Sequence, residues 1–122
     1  MRMEWTYAAL VGVGAFLGAV ARYALSEWIA GRFPSRFPYG TLTVNVLGSF
    51  GIGWIVGAQW DEPWRLLAGV GFLGAFTTFS TLKAESVRLM RDGRIRLASA
   101  YLGISYVSGV CAAFAGLALG AA

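Results

Sequence analysis

Apolar residues fall into four runs long enough to cross a membrane, each bounded by a short polar connection, and this pattern predicts an all-α membrane protein of four transmembrane helices. The first helix is expected from about Trp5 to Ala30, with Trp5 and Tyr7 at one interface and Trp28 near the other. Arg32 to Tyr39, RFPSRFPY, then forms a loop at the membrane surface, because its two prolines and two arginines suit neither a helix nor hydrocarbon. The second helix covers about Gly40 to Trp60, and Gln59, Asp61, Glu62 and Pro63 turn the chain between the interface anchors Trp60 and Trp64. The third starts near Leu66 and continues through Lys83, Glu85, Arg88, Arg91 and Arg94, with Glu85 and Arg88 paired at i, i+3. The fourth covers about Leu97 to Leu119.

The third run does not read as one continuous helix. Gly71 to Leu82, GFLGAFTTFSTL, is apolar enough for a bilayer but rich in Gly and Thr, so the helix is expected to break near Gly74 to Phe79. At membrane depth every backbone N–H and C=O needs a partner, and irregular backbone persists only inside protein or beside a site for ions or water. A break there offers free carbonyls to cations and free N–H groups to anions, and Thr77, Thr78, Ser80 and Thr81 add hydroxyls. The alternative is that Gly and Thr only permit close helix packing.

Polar and small residues elsewhere recur at helical spacing. Gly14, Gly18 and Arg22 share one stripe of the first helix, ending in a cation that either snorkels to the interface or faces an electropositive vestibule. On the second helix Thr41, Asn45, Ser49, Gly53 and Gly57 form a stripe grading from polar to small, and Asn45 is costly to leave against lipid. It either holds an interhelical hydrogen bond or faces a pore. Tyr101, Ser105 and Gly109 repeat the pattern on the fourth helix, with Ser108 beside them. Four helices are too few to enclose all these faces around a water-accessible path, so a dimer is the physical expectation.

Composition narrows the class. With 57% hydrophobic and 13% charged residues, the 122-residue chain reads as one membrane-embedded domain, residues 1–122. The first run leads into Arg22 instead of a small-residue cleavage site, so it is expected to be retained as a helix. Cys111 is solitary and there is no His, which excludes an internal disulfide and leaves little from which to build a zinc or haem site. A net charge of +4 raises nucleic acid as a partner, but the basic residues flank membrane spans, where the lipid bilayer's anionic headgroups meet them; nucleic-acid binding is rejected. No nucleotide site, catalytic triad or pair of buried carboxylates can be assembled, so the chain is not expected to be an enzyme.

Four ordered motifs carry a family resemblance across nearly the whole chain. GAVARY at Gly18 to Tyr23, TLTVNVLGSFGIG at Thr41 to Gly53, GFLGAFTTFST at Gly71 to Thr81 followed by Glu85, and the stretch from YLGIS at Tyr101 to Gly109 resemble the CrcB/Fluc family of fluoride channels. The resemblance implies a passive fluoride-selective channel that exports fluoride, in the cell inner (plasma) membrane as a multi-pass protein. It implies an antiparallel, dual-topology homodimer with two pores, and a structural sodium ion (Na+) at its centre. Carried over by position, Asn45 would point its amide at fluoride and Phe79 would be the first aromatic of a phenylalanine box. Ser80, Thr81, Thr41 and Ser105 would join the polar track, with Tyr101 matching a tyrosine on the fourth helix. Arg22 would lie at the vestibule, and Gly74 and Thr77 would hold the sodium ion by main-chain carbonyls. Leu82 departs from the pattern, standing where the family has a second box phenylalanine; it keeps bulk but offers no positive ring edge.

Two rivals are weighed against this reading. A small four-helix proton-coupled exporter of the multidrug type needs an ionisable carboxylate deep in the membrane, and the first helix has only Glu4 and Glu27 near its ends. A non-transporting packing subunit explains small-residue faces but has no use for Asn45 together with a hydroxyl track. Lys and Arg are richer on the side of the first and third loops than on the side of the termini, a bias that places the termini outside, whereas dual topology wants little bias.

Overall fold

The computed structural model describes the backbone of residues 2–122 and the side chains from residue 4 onward. Its described elements are all helical: α1 (Arg2–Arg32), α2 (Tyr39–Gly57), α3 (Glu62–Trp64), a π-helix (Arg65–Leu73), α4 (Gly74–Phe76), α5 (Phe79–Arg91) and α6 (Ile95–Ala121). Four segments, Glu4–Arg32, Tyr39–Gly57, Glu62–Arg91 and Ile95–Ala121, are long and apolar enough to cross a bilayer. At 1.5 Å per residue α1 is about 46 Å long, well beyond a hydrocarbon core of about 30 Å, so it must tilt or emerge from it.

Glycine decides which helices touch. A Cβ on Gly53 would strike the main-chain oxygen of Ala113, and one on Gly57 would lie 3.0 Å from the amide nitrogen of Ala121. Reciprocally, Gly116 and Gly120 of α6 lie against the main chain of Phe50 and Trp54 in α2. Each helix thus presents two glycines one turn apart, and the backbones meet as small-xxx-small faces do in membranes. Gly14 and Gly18 let α1 approach the main chain of Leu67 and Phe72 in the same way.

Before its break, the third span departs from plain α-helical winding. Pro63 occupies the first turn of α3, where its missing N–H costs nothing, and the chain then winds as a π-helix to Leu73. Gly69 and Gly71 lie inside this wider coil, and Gly71 is buried against the Val11 carbonyl and the Gly14 Cα of α1. The break itself falls where the sequence places it, at Thr77 and Thr78, both extended (ψ 155° and 120°). α2 ends at Gly57, three residues early, because Gln59 takes a left-handed turn at φ 54°.

A compact core closes one end of the bundle. Leu82, Leu89, Ala98 and Tyr101 are buried together, with Phe37, Leu42, Leu97 and Leu102 packed on them. Away from it the helices turn large apolar side chains outward, among them Val13, Phe16 and Val20 of α1 and Val107, Val110 and Phe114 of α6, as a lipid-facing surface requires.

Candidate ion pathway

The break is held by one side chain. Thr78 N–H donates to Asn45 Oδ1 at 2.7 Å, and Asn45 Nδ2 donates to the Thr78 carbonyl at 3.0 Å, so a single carboxamide satisfies both backbone groups of the extended residue. The second hydrogen of Nδ2 is left for another acceptor. Thr78 also caps α5, its Oγ1 accepting from the Thr81 N–H at 3.2 Å. In a continuous helix Thr78 N–H would go to the carbonyl of Gly74; its diversion to Asn45 frees that carbonyl, on an exposed residue. Thr77, whose hydroxyl donates to the Leu73 carbonyl at 3.0 Å, turns its own carbonyl out of the helical direction. Main-chain oxygens freed at a helix break are the hard donors a cation such as Na+ takes, so Gly74 and Thr77 fit that role.

Around the clamp lie separate clefts. One of about 400 Å³ brings together Asn45, Thr77, Phe79, Leu82 and Ser105, with Ser49 and Thr78. A second, about 250 Å³, gathers Arg22, Thr41 and Thr81 with Thr78. The third and largest, about 710 Å³, opens beside the loop after α1 and is lined by Thr41, Thr81, Glu85, Arg36 and Arg88 among others. Ser80 joins none of them; it is exposed and lines a groove with Lys83 and Arg91. Phe79 is 65% exposed although it borders the first cleft, so most of its ring faces away from its own chain. Leu82, by contrast, is 5% exposed and belongs to the core.

Three polar atoms in this region are buried with no partner: Arg22 Nε, Tyr101 Oη and Ser105 Oγ. A buried donor without an acceptor costs about 1–3 kcal/mol; of the three, Tyr101 has the Thr41 side chain for a neighbour. Thr41 is satisfied, its hydroxyl donating to Glu85 Oε1. Glu85, expected to pair with Arg88, accepts from Thr41 of α2 and still feels the charge of the exposed Arg88 one turn on.

The sequence reading counted Thr78 only as a hydroxyl and did not foresee it as the residue Asn45 holds. Its only signal is the preference for Thr at helix starts, which its hydroxyl neighbours Thr77, Ser80 and Thr81 share in part. Nothing local signals the Thr41–Glu85 contact, which spans 44 residues.

Residues 9–117 match the family model described as CrcB-like protein, Camphor Resistance (CrcB). The chain belongs to the CrcB-like family. Relatives of this CrcB-like chain include the Fluoride-specific ion channel FluC 1 of Geobacillus kaustophilus (strain HTA426), 50% identical over 115 residues that cover 93% of this chain and 98% of that one. FluC 2 of Bacillus thuringiensis subsp. konkukian is 43% identical over 93% of this chain and 96% of its own length, and FluC 1 of Listeria monocytogenes serotype 4b (strain F2365) is 44% identical over 91% and 94%. The broken span and the four motifs lie within the matched residues.

Proposed function

We propose that this CrcB-like protein is a passive fluoride-selective ion channel of the plasma membrane, and not an enzyme. The observation that carries the reading is the buried Ser105 hydroxyl, unpaired within the protein and lining one cleft with Asn45 and Phe79, with the buried Tyr101 one turn away on α6. Fluoride is a small, strongly hydrated anion, and it sheds water only where donors replace it without forming one deep trap. Hydroxyl hydrogens, the spare Asn45 N–H and the positive edge of Phe79 are donors of that graded kind. Relatives named fluoride-specific ion channels, matching over nearly the full chain, support the same ion.

The working unit in this reading is an antiparallel homodimer. Phe79, 65% exposed at the break, has its ring free to reach a second copy, and two copies would supply the enclosure that one chain lacks. Gly74 and Thr77 of both protomers would hold a structural sodium ion by their main-chain carbonyls, which neutralises the oxygens that each break frees. Arg22, half-buried with Thr41 and Thr81, draws anions toward the track without standing in its narrow part.

Efflux from liposomes loaded with potassium fluoride or potassium chloride tests the function. Fluoride efflux that persists without a proton gradient, with chloride retained, is expected. Fluoride movement only when a proton gradient is imposed would mean a coupled exporter, and no movement of either anion would mean a packing subunit.

A further inference from the structure

The two sides of α5 differ in kind. Leu82, Ser86 and Leu89 turn inward and are buried, while Ser80, Ala84, Val87 and Arg91 fall at i, i+4, i+7 and i+11 along the outward side. Lys83 and Arg88 flank that row, and with Asp92 these residues line a groove of about 490 Å³. Its floor is apolar at Ala84 and Val87, and its edges carry Lys83, Arg88 and Arg91 against the single acid Asp92. Thr77 lies at the middle of the span Glu62–Arg91; at 1.5 Å per residue Lys83 follows it by about 9 Å and Arg91 by about 21 Å. Hydrocarbon reaches about 15 Å from the centre of a bilayer, so the Lys83 backbone stands within it and Arg91 stands among the headgroups. A cation at the depth of Lys83 needs an anionic neighbour or a route outward. Glu85 is turned to Thr41, and among the described residues neither Lys83 nor Arg91 has a hydrogen bond or an ion pair.

We propose that this groove binds one anionic phospholipid, its headgroup phosphate held between the Lys83 ammonium and the Arg91 guanidinium and one acyl chain laid along Ala84 and Val87. The four-carbon stem of the lysine carries its charge outward to the headgroups, and the arginine fork matches two phosphate oxygens. Three cations against one acid leave a surplus of positive charge, which favours a headgroup of net negative charge over a zwitterionic one. The lipid supplies the counter-charge that the chain itself does not offer to Lys83. This inference needs only a membrane-spanning chain and stands apart from the fluoride-channel reading.

The test titrates the full chain, purified in a neutral detergent, with palmitoyl-oleoyl phosphatidylglycerol, with the phosphatidylcholine of the same acyl chains and with inorganic phosphate, and reads the melting temperature. Phosphatidylglycerol should raise it by about 4 °C or more, phosphatidylcholine should do so only at much higher concentration, and inorganic phosphate should leave it unchanged. Lys83→Gln combined with Arg91→Gln should move the phosphatidylglycerol midpoint about thirtyfold higher and each single change about fivefold, fivefold being about 1 kcal/mol for each cation near a headgroup. Arg94→Gln combined with Arg96→Gln removes the same charge from the same end but outside the groove, and should leave the midpoint in place. Where the double variant does not fold, the single variants carry the test. Unchanged midpoints in the groove variants, or equal shifts in the two pairs, overturn the site. An equal response to phosphatidylcholine or to inorganic phosphate overturns it as well. A wild type insensitive to lipid, whose groove variants pass from dimer to monomer, gives the groove to a second copy and overturns the lipid.

Discussion

Asn45 bonds the break at both ends of its carboxamide, so Asn45→Asp changes two things at once. It loses the Nδ2 donor to the Thr78 carbonyl, and a carboxylate oxygen then faces that carbonyl in place of an N–H. Melting should fall by about 1–3 kcal/mol, the cost of leaving a buried group unpaired. It also sets a negative charge beside the cleft, and two unit charges about 4 Å apart at an effective dielectric near 20 repel by roughly 4 kcal/mol, so fluoride efflux should nearly vanish. A variant that melts lower yet conducts normally assigns Asn45 to the scaffold alone. Phe79 and Leu82 separate by burial. Phe79→Ile removes an exposed ring at little cost to the fold and should strongly reduce fluoride efflux, while Leu82→Phe must fit a larger ring into the core against Leu89, Ala98 and Tyr101, at about 1–3 kcal/mol of overpacking. If Leu82→Phe folds, its fluoride efflux should match or exceed wild type with chloride still excluded; full activity of Phe79→Ile would remove ring edges from the mechanism. The sequence showed that Asn45 needed a partner, because a carboxamide among apolar residues is costly. It did not show that the partner is Thr78, since the bonds go to backbone groups 33 residues away that carry no side-chain identity.

A single stripe along α2 serves three neighbours in turn. Thr41 meets Glu85 of α5, Asn45 meets the break, and Gly53 with Gly57 meets α6. The i, i+4 spacing made this stripe legible, and the break near Thr77 was legible from its Gly and Thr content. The answering glycines on α6 were not: Gly116 and Gly120 stand in a stretch rich in small residues, Ala112 to Ala122, where alanines at 112, 113, 115, 118 and 121 offer the same close approach. The π winding of Arg65–Leu73 was hidden for a different reason. Its apolar residues suit either coil, and the approach of α1 at Gly71 is a tertiary matter. Two alanine substitutions test the element packing. Gly116→Ala drives a Cβ into the Phe50 carbonyl, which is main chain and cannot swing aside, so the helix pair must separate and melting should fall by about 1–3 kcal/mol. Gly12→Ala meets nothing within 4 Å and should leave stability unchanged or raise it by up to about 1 kcal/mol, because alanine is the better helix former. Equal effects of the two would mean that glycine acts through helix propensity and not through contact.

At the scale of the whole molecule, charge is concentrated at one end. Arg32 and Arg36 follow α1, and Arg88, Arg91, Arg94 and Arg96 gather at the corner between α5 and α6, while the opposite end carries Arg2 and Arg65 against Glu4, Asp61 and Glu62. The core contact of Phe37 with Tyr101, near Leu89, brings the first loop and that corner to the same end, so the bias belongs to the folded bundle as well as to the sequence. A single chain inserted by this bias would keep its basic end inside and its termini outside. An antiparallel pair needs the opposite insertion for half of its copies, and those copies place six arginines on the outer side. The dimer proposed here therefore predicts that a terminal tag is labelled by an impermeant reagent in about half of the chains in intact cells, and in all of them after permeabilisation. Charge reversal at the corner supplies the second arm. Replacing Arg94 and Arg96 by Glu weakens the bias without touching the track or the break, so it should change the inside-to-outside ratio while each inserted copy keeps its fold. Labelling of every chain from one side only, with fluoride efflux intact, would leave a parallel assembly or a monomer as the conducting unit and would remove the basis for a shared sodium ion between opposed breaks.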